Sequence, residues 1–187
     1  VVSERILKKT PEQKALIRNH LEKFCGLYTG MSSRLEEFVD LFPIHPSYID
    51  VFNKLYLIEN RHILKNISTT IKGIFDTTVP ENAPGIISFD NYWPAIKSNG
   101  LLKSDPTISR VVGASQQLED IITRAFPKPA YKPMAMQIIY ALSVHRLTTN
   151  GLDVQFGMTA ENLKDDLCLY MLMPEQDADF LLSAVKV

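Results

Sequence analysis

Apolar residues recur at helical spacing along most of the chain. Ile17, Leu21, Phe24 and Tyr28 are separated by four, three and four positions, and Met31, Leu35, Phe38 and Phe42 repeat that spacing. Each set predicts one apolar stripe on a helix. Thr10-Pro11 marks the first start. Thr10 suits the N-cap, Pro11 the first helical position, and Gln13 completes a capping box. Gly26 and Gly30 are expected to close this segment. Pro43 stops the second helix and Pro46 starts a third, with Tyr48, Phe52 and Leu55, or Ile49, Phe52 and Tyr56, on its inner face. A fourth is expected from about Arg61 to Phe75, with Ile63, Ile67, Ile71 and Ile74 inward.

Residues 77–88, with two prolines and a glycine, read as a loop or short crossover. A short helix follows around Trp93-Pro94, ended by Gly100. Ser104-Asp105-Pro106 then opens the longest helix, to about Phe126, with Ile108, Val111, Val112, Ser115, Leu118 and Ile122 on one side. The proline-rich stretch PKPAYKP, residues 127–133, is the best internal boundary. Beyond it Met134, Ile138, Leu142 and His145 form one stripe. Leu152–Phe156 has room for a short strand, Thr159 caps a helix over Ala160–Leu169, and Pro174 opens the last helix.

The pattern predicts a mainly α chain in two parts. Residues 1–126 form a lid-like helical bundle. After the linker, residues 134–187 form a winged-helix-like part of three helices that stops before its wing.

Composition narrows the function classes. Net charge is −1, so no global basic excess points to nucleic acid. The longest nearly apolar run, residues 134–144, falls short of the roughly 20 residues a membrane span needs, so it reads as a buried helix and no membrane role is expected. Cys25 and Cys168 lie far apart among apolar residues, which fits free, packed thiols in the cytoplasm. A start at Val1 and an end within a helical pattern read as a segment of a longer protein.

Candidate chemistry is sparse. Neither GxxxxGK[ST] nor GxGxxG occurs, and His20, His45, His62 and His145 are scattered without a metal-ligand spacing. No catalytic constellation is expected, and no metal. His145 reads either as a core histidine bonded to a backbone carbonyl or, with Arg146, as a switch or phosphate contact. Arg110 and Arg124, with Glu119 and Asp120 nearby, predict a salt-bridged exposed face. The last helix begins Glu175, Gln176, Asp177 and Asp179, and its three acids would repel phosphates. DNA therefore remains the alternative partner, and contact with protein or another domain is preferred.

Several segments together resemble the large P-loop ATPases of the BREX phage-defence system, the BrxC/PglY type. They are LKKTPEQKALIRNHLEKF, RLEEFVDLFPIHPSYIDVF, PGIISFDNYW, AYKPMAMQIIYALSVHRLTTNG and GMTAENLKDDLCL. The resemblance implies a region C-terminal to the nucleotide-binding core, a lid-like part and then a winged-helix-like part. It implies that the phosphate-binding loop lies upstream and that ATP and Mg serve the full-length protein, with no cofactor bound by this segment. The implied partners are the upstream P-loop domain and other phage-defence proteins. An independent enzyme with an unrecognised site is the remaining alternative.

The resemblance also draws attention to FPIHP, residues 42–46. Pro43 and Pro46 restrict Phe42 and His45 to extended geometry, and Pro46 fits a helix first turn, so His45 falls at or near an N-cap. A rigid corner is one reading. The other, implied by the resemblance, is that Pro43, His45 and Pro46 face a nucleotide held by the upstream domain. In that case His45 should be exposed and without a partner.

Overall fold

The computed structural model describes residues 7–55, 69, 72–73, 78–100, 102–149, 157–172 and 177–186. Among these residues there are nine α-helices and no strand: α1 Pro11–Glu22, α2 Thr29–Ser33, α3 Leu35–Leu41, α4 Pro46–Lys54, α5 Trp93–Ser98, α6 Pro106–Ala125, α7 Lys132–Thr148, α8 Ala160–Asp166 and α9 Ala178–Lys186. Short 3-10 turns cover Phe89–Tyr92, Leu102–Ser104 and Pro129–Tyr131. The mainly helical expectation holds. The strand at 152–156, the start at Pro174 and most of the helix at 61–75 fall outside the described residues.

Local signals work where polar side chains meet helix starts. The Thr10 hydroxyl accepts from the Gln13 N–H at 3.2 Å, and the Gln13 side chain accepts from the Thr10 N–H at 2.9 Å. Asp105 Oδ1 accepts from the N–H groups of Thr107 and Ile108 at 2.7 and 3.1 Å. Thr159 accepts from the Asn162 N–H at 3.1 Å. Each satisfies donors that the helix itself leaves orphaned.

Helix ends depart more from the periodicity. α1 stops at Glu22, so Phe24 and Tyr28 are buried from the turn that follows, and Gly30 lies inside α2. The second stripe is broken at Arg34, whose ψ of 30° ends α2 and begins α3. Both halves still bury their stripe residues, Met31 and Phe38, because a kink changes the axis without changing which face is inward. α8 is shorter than expected and ends in a Schellman arrangement. The Cys168 N–H bonds to the Asp165 carbonyl and the Leu169 N–H to the Lys164 carbonyl, with Cys168 at φ 43° where glycine is usual. This turn buries Leu169 completely.

The described residues fall into two compact units. One combines residues 1–49, 79–88 and 159–187; the other combines 50–78 and 89–158. The division is therefore not at 127–133. That stretch lies inside the second unit, between α6 and α7, which pack on one another, and the Lys132 ammonium donates to the Thr123 carbonyl at 2.9 Å across the turn. The expected three-helix part is likewise split, with α7 in the second unit and α8 and α9 in the first.

In the first unit, α1 packs on α3, and α8 packs on α2 and α9. The exposed pairs Lys14–Asp40 and Arg18–Glu36 join α1 to α3, but the contact is held by burial of Leu21 and Phe38, since exposed pairs contribute little. In the second unit, α7 is surrounded by α6, α5 and the Phe89–Tyr92 turn. It buries Ile139, Ala141, Val144 and Leu147. Only Met134 of the expected 134/138/142/145 stripe is fully buried, because neighbours on several sides leave no single inner face. Trp93, the single tryptophan, is fully buried in this unit.

The cap of α6 makes a clear prediction. Asp105→Ala removes an acceptor for two N–H groups and should cost about 1 kcal/mol in urea unfolding followed by Trp93 fluorescence, whereas Asp105→Asn should cost less.

Candidate functional site

The FPIHP corner is built into the first unit and is closed to solvent. The Phe42–Pro43 peptide is cis. The His45 N–H donates to the Ile87 carbonyl at 2.9 Å, and the Ile87 N–H donates to the Pro43 carbonyl at 2.7 Å, forming an isolated parallel bridge. His45 is 4% exposed. Its Nδ1 accepts from the Ser47 N–H at 3.0 Å and lies 2.7 Å from the Ser47 hydroxyl. His45 is thus the side-chain cap of α4. The Ser47 hydroxyl reaches the Asp166 carbonyl at 3.1 Å, and Phe38 packs edge-on against the imidazole at 4.8 Å between centroids.

An N–H donor at Nδ1 requires a lone pair there, so the ring is neutral with its proton on Nε2. Nε2 is buried and lies near the Asp165 carbonyl, which favours its proton, but it makes no hydrogen bond of good geometry. Burial is the main reason the His45 pKa is lowered to about 4. This corrects the expectation of an exposed histidine facing a nucleotide: Pro46 is buried and Pro43 half-buried beside it.

The neighbouring polar groups are also engaged. The buried Lys164 ammonium donates to the Leu27 carbonyl at 2.6 Å and lies 3.5 Å from Asp165 Oδ1. Asp165 Oδ2 accepts from the Gly30 N–H at 3.0 Å, and the Tyr28 hydroxyl donates to the Leu169 carbonyl at 2.6 Å. Burial pushes the Tyr28 phenol and the Cys168 thiol well above their ordinary pKa values, so Cys168 is a packed thiol rather than a nucleophile. Cys25 is half-buried.

The second unit contains a groove of about 410 Å³ between α6 and α7. Val111, Ala114, Leu118, Ile139 and Leu142 line it, with Arg110 and Arg146 among its walls. Glu119 lies beneath, on α6. It is buried and accepts from the Lys97 ammonium at 2.7 Å and the Ser115 hydroxyl at 3.0 Å. Tyr140 stands beside it, its phenol held above the ordinary value first by burial and then by the Glu119 charge. The expected exposed pairing of Glu119 with Arg110 or Arg124 is therefore corrected. Glu119 is four residues beyond Ser115 and three before Ile122, on the inward stripe. Leu118, expected inward from the periodicity, is 49% exposed. Asp120 pairs with Gln116 instead.

His145 and Arg146 are adjacent in sequence but differ in setting. His145 is half-buried, with a shielded Nε2 that lacks a hydrogen-bond partner; burial lowers its pKa, offset by the Gly157 carbonyl. Arg146 is exposed and donates to the Thr149 carbonyl at 3.1 Å, a bond that closes the end of α7. Arg110, which the sequence reading places only on a salt-bridged exposed face, is the residue the groove adds. The four-residue step from Arg110 to Ala114 and on to Leu118 is the signal that could have shown it.

His45 makes stability pH-dependent with a defined sign. The unfolded chain takes up a proton near pH 6.5, whereas the folded chain resists until about pH 4. Its contribution is present above pH 6.5 and is lost as pH falls toward 4, by about 3 kcal/mol. Denaturant titrations of wild type and His45→Asn, which keeps a capping side chain, should diverge over that interval. For the groove floor, Lys97→Met should cost about 2 kcal/mol by leaving Glu119 buried without its cation. The double variant Lys97→Met/Glu119→Leu should recover most of that loss.

Among the described residues no helix is long and apolar enough to cross a membrane, and no group of three or more His, Cys, Asp or Glu side chains could hold a metal ion. No curated protein and no solved structure matches the chain. The family model of the DUF6079 second domain matches residues 10–187, from the Thr10 cap of α1 through α9. The chain thus belongs to the DUF6079 second-domain family.

Proposed function

We propose that this chain is a non-catalytic helical interaction module within a larger P-loop ATPase of phage defence, coupling nucleotide state elsewhere in that protein to contacts with partners. The observation that carries this reading is how the buried polar side chains are used. His45 caps α4, Lys164 and Tyr28 bond to backbone carbonyls, and Glu119 pairs with Lys97. Each of these four groups is committed to a structural bond. A catalytic group needs a partner set that changes during the reaction, and these groups are held in place by structural bonds.

The family description, a second domain, supports a module working beside others. The BREX context rests on the sequence resemblance, as does a cytoplasmic location. In this reading ATP and Mg belong to a P-loop core in the same protein, and the partners are that core and other defence proteins. The corner at Pro43, His45 and Pro46 transmits position through the first unit and does not touch nucleotide. His145 and Arg146 are the switch candidates of the second unit.

A nucleic-acid role is the second reading. Asp177 caps α9 and Asp179 follows, so the entry to this helix is acidic, which disfavours phosphate contact there. Incubated with ATP and Mg, the purified chain should release phosphate no faster than buffer alone, and steady-state turnover would sink the proposal. Duplex DNA at low salt should not shift.

A further inference from the structure

We propose that residues 79–88 form a releasable strap, clipped to the FPIHP corner, whose attachment passes movement along the chain from one unit to the other. The proposal rests on the reading of this chain as a coupling module and names the element that does the coupling.

The chain passes between the units at residues 49/50, 78/79, 88/89 and 158/159. Residues 79–88 are thus a short visit to the first unit, with chain of the second unit before and after them. α4 makes another passage within one helix, since residues 46–49 belong to the first unit and 50–54 to the second. Ile44 and Ile87 form the parallel bridge, so the two chains run side by side in the same direction there. One then leaves the first unit after Ile49 and the other after Ser88. Whatever moves Ile87 away from the corner moves one exit against the other.

The attachment is local. His20 Nε2 donates to the Pro84 carbonyl at 3.2 Å, from a ring set edge-on against Phe24 and Phe42. The Ile87 N–H donates to the Pro43 carbonyl and its carbonyl accepts from the His45 N–H. Pro84 and Ser88 are buried and Ile87 is half-buried, whereas residues 78–82 are exposed. Between the two attachment points stands Gly85, at φ 66°, where a Cβ would lie 3.3 Å from Pro80 Cδ and 3.4 Å from Val79 Cγ1. Attachment therefore requires a turn that glycine alone takes without strain, and a detached strap is free to lose it. A segment held by an isolated bridge, with part of its backbone in solvent, opens at the low end of the stability range. His45 carries the opening onward. Its N–H holds Ile87 and its Nδ1 caps α4, so losing the bridge loosens the cap of the helix that crosses into the second unit.

The test is amide hydrogen exchange of the whole chain, read residue by residue by NMR. In wild type the Ile87 and His45 N–H groups should exchange through one shared opening, at least about tenfold faster than Phe38 of α3 and Val144 of α7. Gly85→Ala strains only the attached turn. It should speed Ile87, His45 and Leu55, whose N–H bonds to the Val51 carbonyl at the far end of α4, by about tenfold and leave Val144 unchanged. His20→Phe keeps a ring against Phe24 and Phe42 but removes the donor to Pro84, and should act in the same direction by at least about threefold. Wild-type exchange of Ile87 as slow as that of Phe38 and Val144 would overturn the strap, and this measurement decides the matter even if Gly85→Ala does not fold. So would a variant that speeds Ile87 alone, with His45 and Leu55 at wild-type rates, or one that speeds Val144 equally. ATP turnover by the chain would sink the module reading while leaving the exchange result standing, and a strap that opens only with global unfolding would leave the module reading intact.

Discussion

The first unit depends on how the FPIHP corner satisfies its backbone. Two prolines remove donors and stop α3, and the remaining N–H and C=O groups must find partners away from water. They find them in residues far along the chain: Ile87 pairs with both Pro43 and His45, and Asp166 accepts from Ser47. The corner therefore joins three segments that are remote in sequence. Its histidine does this as a neutral ring, because a proton on Nδ1 would set two donors against one another at Ser47. A charged His45 would lose its capping bond and remain in an apolar pocket beside Phe38.

The second unit solves a similar problem with a charge. Glu119 lies on the inward stripe of α6, where an apolar residue would pack without a partner. Burial of a carboxylate is tolerable because Lys97 and Ser115 meet it at hydrogen-bonding distance. The pair links α5 to α6. Among its described residues the unit is thus anchored by the Lys97–Glu119 ion pair beside the groove.

These two arrangements bear on function in the same way. Polar groups in both units are invested in position, which fits the proposed role of a module that holds its shape. The displayed chemistry is on the outside: a short apolar seam with two arginines in the second unit, and an acid-capped helix α9 in the first.

Much of the helical plan was legible in the chain. The caps at Thr10, Asp105 and Thr159, the start at Pro46 and the inward placement of Leu21, Phe38 and Ile122 follow from local sterics and periodicity, and they stand in the structure. So does the position of His45 at an N-cap, because the flanking prolines restrict it to that geometry. The sequence could not say which way the corner faces, since that depends on residues 84–88 and 165–166 folding over it. Nor could it say that 127–133 joins α6 to α7 within one unit, because a rigid linker and a tight turn share the same prolines. The charge of Glu119 predicts an outward position, and its register puts it inside. A partner from another helix, Lys97, made that register affordable, and only tertiary packing brings the two side chains together.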